Sequence, residues 1–309
     1  MDCTVYFINC ARGGIIDENA LLQAINEGKI AGAALDVFPV EPLPEDSPLR
    51  KCEKLLLTPH LGASTVEAQE KVALQVAEQI VTYFKKGEII NAVNAPSIDP
   101  ELLKVMRPYL DLAEDLGKFA SSYADSRVVK INCLFSGSIL DYPLKPITTA
   151  IVKGFLEPLT DFAVNYISAM NLAKERGVEV VESKSTLEYQ YTNLITIETE
   201  MENGQTNKIC GTLYTKEMPR IVILNDRYFN AVPSGNMLVI KNKDVPGTIG
   251  TVCTILGNHN VNIADLTWGR NKPLGDAMTI INTDHEITAD IVKEIDAHEN
   301  ILSVKFIKV

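Results

Sequence analysis

The 309-residue chain is 46% hydrophobic and 22% charged, a composition that supports two or three soluble domains of roughly 100 to 150 residues each. Its 29 basic and 40 acidic residues leave a net charge of −11, which repels phosphate backbones and anionic lipid and so argues against a nucleic-acid or membrane partner. No apolar run approaches the roughly 20 residues that span a bilayer, and Asp2 stands where a signal peptide would be basic, so a cytoplasmic protein is expected.

The six cysteines contain no C-x-x-C pair. Neither a metal site nor a disulfide framework is signalled, and buried reduced thiols are the default.

Residues 4–9, 30–38 and 54–58 are β-rich apolar runs without clean alternation, the pattern of strands buried on both faces of a parallel sheet. Between the first two, Asp17 to Asn26 is predicted helical, with Gly28 as its stop. Ser64-Thr65-Val66-Glu67 forms a capping box for a long helix in which Val72, Val76, Ile80 and Phe84 repeat every four residues until Gly87. This segment, residues 1–95, is therefore α/β. The proline-bearing stretch NAVNAPSIDP marks a linker.

A second segment, 96–233, opens with a helix carrying Leu102, Leu103, Met106, Leu110, Ala113 and Leu116. The strand RVVKINCLFSG and a helix from Thr160 to Arg176 follow. Strands dominate from Val178 to Val232, with Asn203-Gly204 as a hairpin turn whose two residues both need positive φ. That mixture is α+β.

Beyond PSGN, residues 234–309 read as strand 237–242, helix 248–258, strands 261–269 and 276–283, helix 288–298 and strand 301–308. The order βαββαβ is the ferredoxin-like arrangement.

Three charged side chains of the first segment follow strand ends: Arg12 after the run ending at Asn9, Glu41 after the run ending at Phe38, and His60 after LLLT. Ligands of open α/β sheets sit outside the carboxyl ends of the strands. A guanidinium can grip a carboxylate by two bonds, and a histidine paired with a carboxylate suits proton exchange near neutral pH. The plainer readings stay open: Arg12 as a solvated loop residue, Glu41 as loop polarity, His60 as a capping or packing residue. Lys145, Lys153, Lys174 and Arg176 of the middle segment are equally well explained as a solvated helix face. His259, His285 and His298 fall at helix ends or loops and suit solvated or capping roles.

The stretches INCARGGIIDENALLQAINEGKIAGAALDVFPVEP and LLLTPHLGAST closely resemble the C-terminal half of the coenzyme domain of the D-2-hydroxyacid dehydrogenases. With the two segments behind them, they resemble the long form of the D-3-phosphoglycerate dehydrogenases, in which an intervening regulatory domain precedes an ACT domain. The resemblance implies NAD as cofactor and 3-phosphoglycerate as substrate. It gives Arg12 to the substrate carboxylate, His60 to general acid/base work and Glu41 to orienting His60. Asp36 would meet the carboxamide end of the cofactor, with Cys10, Ala11 and the turn Leu61, Gly62, Ala63 as backbone contacts beside Arg12 and His60.

In the ACT-like segment, KNKDVPGTIG matches the effector turn. Asn242 and Asp244 would meet an amino acid, L-serine by the resemblance, and Asn262 would reach the same ligand across a subunit interface, which implies a homo-oligomer. By itself, D-x-P-G is also a common tight turn.

The departure is the absence of G-x-G-x-x-G. The phosphate side of a dinucleotide site needs that turn, so weak or absent NAD binding and no dehydrogenase activity are expected of these 309 residues alone.

Overall fold

A computed structural model describes residues 4–86, 90–91, 100–185, 190–270 and 275–309. The chain divides into two compact units, Met1–Ile90 and Asn91–Val309. The expected stop at Gly87 and most of the expected linker lie outside the described residues.

The first unit holds three parallel strands, β1 (Tyr6–Asn9), β2 (Gly32–Leu35) and β3 (Leu55–Leu57), in the order β1-β2-β3. Helix α1 (Glu18–Asn26) joins the first two, and its N-cap Asp17 accepts from the amides of Asn19 and Ala20. Leu21, Ile25, Ile30, Leu35, Phe38 and Leu49 form the core. Burial on both faces holds only for β2. Tyr6 and Ile8 of β1 and Leu56 of β3 are exposed, since side chains point to the sheet faces and are buried only where another layer packs on them.

Helix α2 (Val66–Lys86) is capped by Thr65, not Ser64: Thr65 Oγ1 accepts from the amide of Ala68, while the Ser64 hydroxyl donates to the carbonyl of His60. Its apolar stripe Val72, Val76, Ile80 and Phe84 is exposed.

The second unit begins with α3 (Pro100–Tyr123), β4 (Val128–Gly137) and α4 (Leu144–Leu156). Helix α4 is absent from the sequence expectation, and its burial explains why. Residues on every side of it are inside, from Ile147 and Thr148 to Ala150 and Ile151, so no amphipathic period marks it. The helix expected over 160–176 shrinks to α5 (Ala169–Glu175), since Asn165 Oδ1 accepts from the amides of Ile167 and Ser168 and holds a turn before it.

Strands β5 (Glu179–Ser185), β6 (Asn193–Met201), β7 (Thr206–Leu213), β8 (Pro219–Leu224) and β9 (Arg227–Ala231) complete a six-stranded sheet, order β5-β4-β6-β7-β8-β9. In the β6–β7 hairpin only Gly204 takes positive φ (80°). Asn203 acts through its side chain instead, accepting from the amide of Gln205.

The ferredoxin-like order is as expected: β10 (Asn236–Lys243), α6 (Thr248–Asn258), β11 (Ile263–Arg270), β12 (Asp276–Thr283), α7 (Ala289–Asp296) and β13 (Ile301–Lys308), in sheet order β11-β12-β10-β13. One sheet face packs on the helices through Leu238, Ile240, Val252, Ile281 and Ile295. The other joins Met237, Val239, Met278, Ile280 and Ile307 to the core under α3 and α4, so the expected boundary at 233/234 separates two folds that share one interior.

Candidate acid–base site at the strand ends

The carboxyl ends of β1, β2 and β3 are bound together by short polar side chains. Asn9, at the end of β1, accepts from the amide of Ala11 (3.1 Å) and donates to the carbonyl of Arg12 (3.1 Å), closing the turn that carries Arg12. The two glycines behind it have separate reasons. A Cβ on Gly13 would fall 2.1 Å from the carbonyl of Phe38, whereas Gly14 has φ +82°. Gly13 thus lets the Arg12 turn lie against the loop that carries Glu41.

Glu41 is the hinge of that loop. Its Oε1 accepts from the amide of Phe38 (3.0 Å) and its Oε2 lies 2.7 Å from His60 Nδ1. These two bonds, the one with His60 first, hold the Glu41 carboxyl below the usual carboxylate range. His60 itself sits at φ 58°, a left-handed conformation uncommon for a residue with Cβ, and one that persists where the surroundings enforce it.

Asp36 supplies much of that enforcement. It is buried and accepts from the Thr58 hydroxyl (2.5 Å) and the amides of Leu61 (2.8 Å) and Gly62 (2.9 Å). Its carboxyl is held low, by the Thr58 bond first and the Leu61 amide second. The amides of Leu61 and Gly62 are therefore committed to Asp36, which fixes the rim on which Leu61 and Ala63 stand exposed. A cavity of about 530 Å³ opens beside the pair, lined by Phe38, Glu41, Leu43, Thr58 and His60. Arg50 also lines it, with its guanidinium donating to the carbonyls of Leu43 and Pro44.

Glu41 and His60 are brought together, and Asp36 is linked to them through the Thr58–Gly62 turn. Arg12 is exposed, donating to the carbonyl of Ala11, and Cys10 is exposed as well, contrary to the buried default for the thiols. Cys133 and Cys210 follow that default, burial pushing Cys133 up to about 12. Asn9 and Thr58 were missed as positioning groups; a lone amide or hydroxyl closing an apolar run was their only signal.

The effector residues separate into two places. Asn242 is buried, donating to the carbonyl of Lys243 and accepting from Thr279. Asp244 is paired with Arg270 at 3.0 Å, so an incoming ammonium would share it with a cation already present. Asn262 donates to Asp284. It precedes Ile263, which stands opposite Thr283, while Asn242 stands opposite Ala277. Those positions on β12 are roughly 20 Å apart at the strand rise, so within one copy Asn262 and Asp244 face different ends of the sheet.

Lys153 is not on a solvated face; it lies between Glu114 (2.5 Å) and Glu157 (3.2 Å) in a partly buried cluster. His259 caps α6 and pairs with Glu294 at 2.7 Å.

A parallel sheet ending in a histidine–carboxylate pair, followed by a mixed middle domain that shares its core with a βαββαβ unit, defines a multidomain α/β and α+β protein. Three family models match in order: D-isomer specific 2-hydroxyacid dehydrogenase, NAD binding domain, over residues 1–62; D-3-phosphoglycerate dehydrogenase intervening domain, over 105–225; and ACT domain, over 236–300. The D-3-phosphoglycerate dehydrogenase of Methanocaldococcus jannaschii is 39% identical over 300 residues, covering 97% of this chain and 56% of that protein. That of Bacillus subtilis is 38% identical over 303 residues, covering 98% and 57%. The chain thus spans about half the length of the relatives it matches. Among solved structures, phosphoglycerate dehydrogenase from Lactobacillus plantarum is similar over 28% of this chain and 27% of its own, at 33% identity and a TM-score of 0.20. Segment by segment, the chain is thus similar to the D-3-phosphoglycerate dehydrogenases among the D-isomer specific 2-hydroxyacid dehydrogenases.

Proposed function

We propose that the first unit carries the nicotinamide-side, acid–base half of an NAD-dependent D-3-phosphoglycerate dehydrogenase, and that the βαββαβ unit senses L-serine. The observation that carries this reading is the 2.7 Å contact of His60 Nδ1 with Glu41 at the strand ends. An ionised carboxylate only accepts, so the Nδ1 proton points at Glu41 and Nε2 is left to take the proton of a substrate hydroxyl. Glu41 then steadies the cation formed on His60. Arg12, on a turn packed against the Glu41 loop, would hold the substrate carboxylate by up to two bonds.

NAD, when bound, supplies the hydride acceptor. The donor set suits its nicotinamide end: Asp36 and the Leu61–Ala63 turn form one braced rim beside the acid–base pair. These 309 residues contain no G-x-G-x-x-G, so by this proposal they bind NADH weakly and turn over no 3-phosphoglycerate by themselves.

The separation of Asn262 from Asp244 supports a homo-oligomer in which the β11 edges of two copies meet, bringing Asn262 of one copy to Asp244 of the other; such pairing also covers an open edge.

A second reading, an amino-acid-binding or assembly module with the dehydrogenase portion as scaffold, draws on one contrast: the βαββαβ sheet is covered on both faces, whereas β1 is exposed. Separate calorimetric titrations with L-serine and NADH distinguish them. Serine heat lost in Asp244→Asn supports the regulatory assignment. Feeble NADH binding that His60→Gln leaves unchanged favours the module, and turnover of 3-phosphoglycerate by this chain contradicts the proposed half-site.

A further inference from the structure

A cavity of about 620 Å³ opens in the middle domain where the ends of α3, α4 and α5 converge. Its walls are apolar, formed by Phe155, Leu156 and Val178, all buried. That volume is within the range of small-molecule sites, which combine apolar walls with a few placed polar groups.

Three polar groups are placed here. Ser121 lines the cavity at 8% exposure, and its Oγ is buried with no hydrogen-bond partner among the described residues. Buried hydroxyls are almost always paired. Arg127 and Arg176 line the same space and are tied to the frame: Arg127 Nη2 donates to the carbonyl of Arg176 (2.8 Å), and Arg176 Nη1 to that of Leu159 (3.0 Å). Gly177, in the left-handed region at φ +71°, turns the chain beside Arg127 Nη2. Each guanidinium has five N–H groups, and among the described residues these contacts engage neither with a carboxylate. Of the two acids at the rim, Asp125 is held by Lys305 at 2.6 Å, which leaves Glu175 against two arginines.

We propose that this cavity is a binding site for a small organic acid with an apolar body, its carboxylate on Arg127 and Arg176 and a second polar atom on Ser121. Anchored guanidiniums lose little freedom on gripping a planar carboxylate, and the apolar walls suit an apolar body better than a fully hydrated ion such as inorganic phosphate.

The test uses the full chain and 4-hydroxyphenylacetate as probe in isothermal titration calorimetry. Its neutral analogue 4-hydroxyphenylethanol and the hydroxyl-free phenylacetate serve as comparisons. The acid should bind about tenfold more tightly than the alcohol, the factor expected of a charge-assisted contact. Arg127→Gln should erase that difference, and Ser121→Ala, which keeps the helix, should erase the preference for the hydroxylated ring. Ser121→Leu fills the cavity and should abolish binding with the melting transition retained. Equal affinity for acid and alcohol, binding untouched by Arg127→Gln and Ser121→Ala, or no heat at about 1 mM probe would each overturn the proposal.

Discussion

Strand β1 (YFIN) and strand β4 (VVKINCLFSG) are both apolar runs, yet Tyr6 and Ile8 are 69% and 75% exposed while Ile131, Cys133 and Phe135 are fully buried. The residues do not differ in kind; the neighbours do. Strand β4 has β5 and β6 on its flanks and lies in the same core as α3 and α4, whereas among the described residues β1 pairs only with β2. An apolar run sets a segment's preference for extended structure, and the number of layers brought to it decides whether that preference is rewarded by burial.

Mutations should follow that division. Phe135→Ala, which empties a closed site, is expected to cost about 3–5 kcal/mol, read from chemical denaturation of the second unit. Gly13→Ala comes next. Its Cβ would meet the Phe38 backbone at 2.1 Å with no flexible side chain to yield, a loss of about 1–3 kcal/mol in the first unit, as for overpacking. Ile8→Lys should leave stability within about 0.5 kcal/mol while reducing self-association in light scattering, because an exposed apolar edge strand invites pairing. A monodisperse wild-type protein that binds no hydrophobic dye would count against the exposed edge.

The two units should also answer pH in opposite senses. In the second, burial raises Asp115 from 3.8 to about 6 despite Lys118. Its folded form holds a proton that the unfolded form has released, so stability falls as pH rises from about 4 to 6. Asp115→Asn should flatten that slope in thermal melts. In the first, Asp36 and Glu41 are held low; the stability they contribute is present above the ordinary carboxylate range and lost as pH falls through their lowered values.

The βαββαβ unit was legible because its helices are two-sided and its turns punctuated: Thr248–Asn258 and Ile301–Lys308 coincide with expectation. Helix α4 was not, since a helix buried on all sides has no period to see. In the site, Arg12, Glu41 and His60 stood out because charges after apolar runs are conspicuous. The brace was harder to find. Asp36 binds the Leu61 and Gly62 amides across 25 and 26 residues, a contact that no local pattern encodes. Nor does the adjacency of Gly13 and Gly14 reveal their separate reasons, a close approach to the Phe38 backbone and a left-handed turn.

The central claim is that Glu41 sets His60 for proton transfer at Nε2. Two-dimensional ¹⁵N–¹H correlation of the imidazoles at mildly alkaline pH tests it directly. The expected result is a neutral His60 carrying its proton on Nδ1, with Nε2 bare, reverting towards the Nε2–H tautomer in Glu41→Ala. An Nε2–H tautomer in the wild-type protein, or a spectrum indifferent to Glu41, would contradict the account.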